Sequence, residues 1–115
     1  MSTELELEQQ WPIPDELTSE GLRAANAIRD FLTENGLTYH GGGGRFYAPT
    51  QWAERGETYG TSSLLVVTHD GGDHAPAFNL DYGRYELNER LQAVLREHGM
   101  YVEACTCWYS AVYQT

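Results

Sequence analysis

Lysine is absent from this chain of 115 residues, and all seven basic side chains are arginine. Against them stand 17 carboxylates, for a formal net charge of −10 with histidine neutral. So little positive charge argues against a protein that neutralises phosphates along a nucleic acid or docks on an anionic membrane leaflet, since both depend on basic side chains in excess. Long apolar runs are also missing: no stretch approaches the ~20 residues of a membrane span. The opening Met1-Ser2-Thr3-Glu4 is acidic where a secretory leader would be basic, so a cytoplasmic location and no membrane partner are expected. Only two cysteines are present, Cys105 and Cys107, too few for a disulfide framework. Two residues apart on one strand face, they sit near the ~7 Å limit for Cα atoms that a disulfide can join. Two packed, reduced thiols are the simpler reading.

What the chain does carry is enough apolar sequence for a core, with 41% hydrophobic and 12% aromatic residues. One small domain fits this length. The acidity is front-loaded: Glu4, Glu6, Glu8, Asp15, Glu16 and Glu20 give residues 1–20 a charge of −6, while the other 95 hold 11 acidic and 7 basic side chains, or −4. Two origins stay open, the composition of an arginine-favouring or salt-adapted genome, or a surface shaped for a basic partner. Residues 1–14 are expected to be an acidic, proline-containing N-terminal segment and residues 15–115 a single domain. Thr3 to Glu8 alternates strictly, as a short edge strand or, the preferred reading, a solvated tail. Trp11-Pro12-Ile13-Pro14 is forced into an extended path, with Trp11 and Ile13 pinning it to the domain.

The first helix starts after Thr18 as N-cap and buries Leu22, Ala25, Ile28, Phe31 and Leu32 until Asn35-Gly36 ends it. Leu37 to His40 reads as a strand, Gly41 to Gly44 as a hairpin tip or a point of close backbone approach, and Arg45 to Ala48 as a second strand. Thr50 to Arg55 forms one helical turn behind Pro49. The apolar run within Ser63 to His69 predicts a central strand buried on both faces. Pro76 demotes His74 to Leu80 to an edge strand or loop. Asp81 is expected to cap a second long helix, with Leu87, Leu91, Val94 and Leu95 as its buried stripe, Glu86 paired with Arg90, and Gly99 as terminator. Tyr101 to Tyr113 reads as one overlong strand, bent near Thr106 to Trp108, with Val102, Ser110 and Val112 on one face and Tyr101, Tyr109 and Tyr113 on the other. The sum is an α+β fold: an antiparallel or mixed sheet of about four to five strands, covered on one face by two helices.

Two sets of residues invite a functional reading. Glu4, Glu6, Glu8, Asp15, Glu16, Glu20, Asp30 and Glu34 would supply a field for a protein partner with a basic surface, with Trp11 and Trp52 as aromatic anchors. The partner would be a basic or nucleic-acid-binding protein, modulated or inhibited at its basic surface, with occupation of a nucleic-acid groove as one form of this. His69-Asp70-Gly71-Gly72-Asp73-His74 offers four side chains suited to a divalent metal such as zinc, with Cys105 and Cys107 as further donors. A glycine-rich turn explains the same residues more simply. A binder of small molecules, lined by the tyrosines, is a third reading. No cofactor and no catalytic residue is assigned, and the oligomeric state stays open.

The strings His69-Asp70-Gly71-Gly72-Asp73, Phe78-Asn79-Leu80-Asp81-Tyr82 and Cys105-Thr106-Cys107-Trp108-Tyr109-Ser110-Ala111-Val112-Tyr113 resemble small uncharacterised acidic proteins carried by actinobacterial phages and plasmids. The resemblance spans roughly residues 37 to 115. It implies a mobile-element setting, in which small acidic accessory proteins bind and inhibit host factors.

Overall fold

The computed structural model describes residues 11–115. The first helix, α1 (Ser19–Glu34), is capped by Thr18, whose hydroxyl accepts from the Gly21 amide at 3.1 Å. It ends on Gly36 at φ +68°, where the Leu37 amide returns to the Leu32 carbonyl at 2.8 Å. Its buried stripe runs through Ala24, Ala25, Ile28, Phe31 and Leu32, but not through Leu22, which is 44% exposed. Gly21 takes the inner position instead, because any Cβ there would strike the Leu64 carbonyl.

Strand β1 (Arg45–Tyr47), helix α2 (Pro49–Glu54) and strand β2 (Leu65–Thr68) follow. The expected strand over Leu37 to His40 is not formed. Its carbonyls are met by other groups: Thr38 accepts from the Trp11 indole at 2.9 Å and Tyr39 from the Asp73 amide at 2.9 Å. The expected edge strand or loop from His74 to Leu80 is a short helix, α3 (Ala75–Phe78), then a 3-10 turn, Leu80–Tyr82. Pro76 lies in the first turn of α3, where its missing amide proton costs nothing. Asp81 does not cap the long helix α4 (Tyr85–Arg96). It belongs to the preceding 3-10 turn, where its amide donates to the Asn79 side chain at 3.0 Å, and Gly83 at φ +75° separates the two. Glu86 pairs with Arg84 at 2.8 Å, in place of the expected Arg90.

The expected long strand is a hairpin, β3 (Met100–Ala104) and β4 (Tyr109–Gln114). The chain reverses through Cys105 to Trp108 without glycine, proline, asparagine or aspartate; the Thr106 hydroxyl accepts from the Trp108 amide at 3.2 Å, and Tyr109 accepts from the amides of Cys105 and Thr106. The face assignment survives the reversal, because Val102 pairs with Val112 and Tyr101 with Tyr113. Strand order is β1-β2-β4-β3, antiparallel throughout. The exposed edge of β3 is covered by Gln92 of α4, whose amide donates to the Val102 carbonyl at 2.7 Å and accepts from the Val102 amide at 3.0 Å, as a neighbouring strand would.

Strand β2 is buried at every residue, as its apolar run predicts. Leu65 and Val67 point into the main core with α1, α3 and α4, while Val66 joins a smaller aromatic cluster on the opposite face with Trp52 and Tyr109. The fold is thus α+β, a four-stranded antiparallel sheet with its two long helices on one face. Packing extends as far as Trp11, which is fully buried against Phe46 at 5.1 Å between ring centroids.

Candidate functional site

The two glycine-rich segments account for each other. A Cβ on Gly41 would meet the Gly72 backbone, one on Gly43 the Asp70 carbonyl, and one on Gly72 the His40 carbonyl. Gly41 to Gly44 and Asp70 to His74 therefore pack backbone against backbone, the close approach that only glycine allows. The clasp closes around His74. Its ring lies 2.5 Å from where a Gly44 Cβ would stand and its centroid 4.7 Å from that of Trp11, edge to face.

Of the four proposed metal ligands, the structure brings His69 and His74 inward, 1% and 0% exposed, and leaves Asp70 and Asp73 at the surface. Strand β2 turns His69 beneath the sheet, where its Nε2 lies 2.9 Å from the Ser110 hydroxyl and its ring stacks on Phe78 at 5.5 Å. His74 places Nε2 3.0 Å from the Thr68 carbonyl. A carbonyl only accepts, so that nitrogen carries the proton. The Nδ1 atoms of both rings are buried without a hydrogen-bond partner. Burial, then the neighbouring His74, pushes His69 down to about 4, and burial likewise lowers His74. Both are neutral imidazoles built into the core. Among the described residues no three His, Cys, Asp or Glu side chains converge on a metal position, so the expected four-ligand set is not assembled.

Cys105 and Cys107 are free thiols in the hairpin reversal. Burial and Glu103 raise the Cys105 pKa, which keeps it protonated and a poor nucleophile.

Neither expected anchor reaches the surface. Trp11 and Trp52 are both 0% exposed. Trp52 is enclosed by Tyr47, Trp108 and Tyr109, with the Arg55 guanidinium 4.4 Å above its ring. Aromatic side chains on a small domain fill the core first, and the largest fill it most. Of the expected acidic set, Glu4, Glu6 and Glu8, with the alternating stretch from Thr3 to Glu8, lie outside the described residues. Asp15, Glu16, Asp30 and Glu34 are exposed and Glu20 is half-buried. Glu20 also serves α1: backbone amides and Ser19 hold its carboxyl below the usual range in the first helical turn. Glu16 accepts from the Thr50 hydroxyl at 2.8 Å.

Large exposed apolar and aromatic side chains lie elsewhere. Leu80, Tyr82 and Tyr85 are 48%, 53% and 63% exposed, set around the turn into α4 beside Asp81 and Glu86. The signal was in the periodicity. Leu87, Leu91 and Leu95 fix the inner face of α4, and Tyr85, two residues before Leu87, falls on the opposite side. Comparison with known protein families, curated proteins and solved structures finds no match.

Proposed function

We propose that this protein is a non-enzymatic interaction module that binds a protein with a basic surface and modulates or inhibits it. The observation that carries the reading is the grouping of Leu80, Tyr82 and Tyr85 at the surface of an acidic domain. Tyrosine brings large contact area at low entropic cost and is enriched where interfaces concentrate their energy. The field supports it. Residues 11–115 carry 14 carboxylates and 7 arginines, and only two ion pairs, Arg55 with Glu57 and Arg84 with Glu86, form among the described residues. These residues therefore keep a net charge of −7, which steers a cationic partner. No helix among the described residues is long and apolar enough to cross a membrane.

The test is affinity capture from the native cell with three baits: the wild type, Tyr82→Ser with Tyr85→Ser, and a variant with Glu4, Glu6, Glu8, Asp15, Glu16 and Glu20 replaced by their amides. A basic protein held by the wild type and lost from both variants is the expected result. Recovery of the same proteins in the same amounts by all three baits would refute it.

A further inference from the structure

Beside β1 lies a cleft of about 170 Å³, open to solvent, walled by Pro12, Ile13 and Pro14 on one side and by Arg45, Tyr47 and Gln51 on the other. Two of its side chains, Arg45 and Gln51, offer donors. The Gln51 Oε1 is already taken by the Ala48 amide at 3.0 Å, which leaves the side-chain NH2 to face a ligand. Arg45 is exposed and joins no ion pair among the described residues, and a guanidinium only donates. A second guanidinium, that of Arg55, stands 5.3 Å from the Tyr47 ring centroid, its charge offset by Glu57 at 3.5 Å. Arg45 is thus the one charged side chain in a lining that is otherwise mostly apolar.

We propose that this cleft binds a small monocarboxylate with a compact apolar body. The carboxylate accepts from the Arg45 guanidinium and the Gln51 amide, while the body lies against Pro12, Pro14 and the Tyr47 ring. The size fits, since a cavity of about 150 Å³ accommodates a benzene ring. The seat is preorganised: the prolines fix their own backbone, and Trp11, buried next to them, ties the segment to the core through Phe46 and the Thr38 carbonyl. With two or three polar contacts and an open side, affinity on the order of 1 mM is expected. This site is independent of the interaction surface at Leu80 to Tyr85.

The probe is benzoate, titrated into the full-length 15N-labelled protein and followed by amide shifts, with benzamide as its neutral isostere. Benzoate should give saturable shifts centred on Phe46, Tyr47 and the Gln51 side-chain amide, and benzamide should give none that saturate in the same range. Arg45→Gln, at an exposed edge position, should leave the remaining spectrum in place and weaken benzoate about tenfold or more. Equal binding of benzamide, undiminished binding by Arg45→Gln, or shifts centred elsewhere would overturn the assignment. So would the absence of saturation by 20-fold above the expected ~1 mM dissociation constant.

Discussion

Acid should destabilise this protein through its two buried imidazoles. In the unfolded chain His69 titrates at its ordinary 6.5, and in the fold at about 4. The unfolded state therefore binds the proton more tightly. The contribution is fully present above pH 6.5 and is lost as pH falls toward 4. Each unit of difference is worth ~1.4 kcal/mol, so His69 alone accounts for about 3 kcal/mol across that window. That is a large share of the 5–15 kcal/mol typical of a small domain. His74 is shifted in the same direction by burial; the Thr68 and Tyr39 carbonyls and Asp73 oppose the shift without cancelling it, and His40 adds to it. The carboxylates work against the effect, because titrating toward the sequence pI of about 4.6 removes self-repulsion. A comparison separates the two. Urea unfolding of the wild type and of His69→Gln should be measured at half-unit steps from pH 7.5 to 4.5. The wild type should lose stability with a slope approaching ~1.4 kcal/mol per pH unit for each imidazole titrating, and the variant should lose one proton's worth of that slope. Equal slopes in the two proteins would refute the assignment of a buried, neutral His69.

Trp52→Ala should cost about 3–5 kcal/mol, read as a lower urea midpoint with unchanged partner capture, since the ring fills the smaller core and reaches no surface. At the clasp, Gly44→Ala would drive a methyl into the His74 ring and the Trp11 edge and should cost about 1–3 kcal/mol. Gly42→Ala meets nothing within 4 Å but must hold φ +82°, so thermal unfolding should show a smaller loss, about 1 kcal/mol.

Much of this fold was legible in the sequence, wherever one local signal governed. Thr18 and Gly36 bound α1, and the apolar run from Leu65 to Val67 predicted the central strand. Reading failed where tertiary contacts replaced local ones. Leu37 to His40 has strand composition, yet its carbonyls are claimed by Trp11, Asp73 and the glycine loop. The hairpin reversal at Cys105 to Trp108 carries no turn residues and depends on Thr106 and Tyr109. The HDGGDH string was legible as a turn, but not that its two terminal histidines would be buried while the aspartates between them stay at the surface. The anchors were misplaced for one reason: tryptophan content indicates a large apolar contribution without saying whether core or partner receives it. For Tyr85 the stripe of α4 decides it, because that stripe fixes which side is inner.

The central claim is that an acidic surface with tyrosine contacts engages a basic protein. It is tested most directly by measuring the dissociation constant of the captured partner against sodium chloride concentration, for the wild type and for the variant with the six N-terminal carboxylates neutralised. The account predicts wild-type affinity that falls steeply with salt, a weaker variant with a visibly shallower dependence, and association rates carrying most of the difference. Identical affinity and identical salt dependence in the two proteins would contradict it.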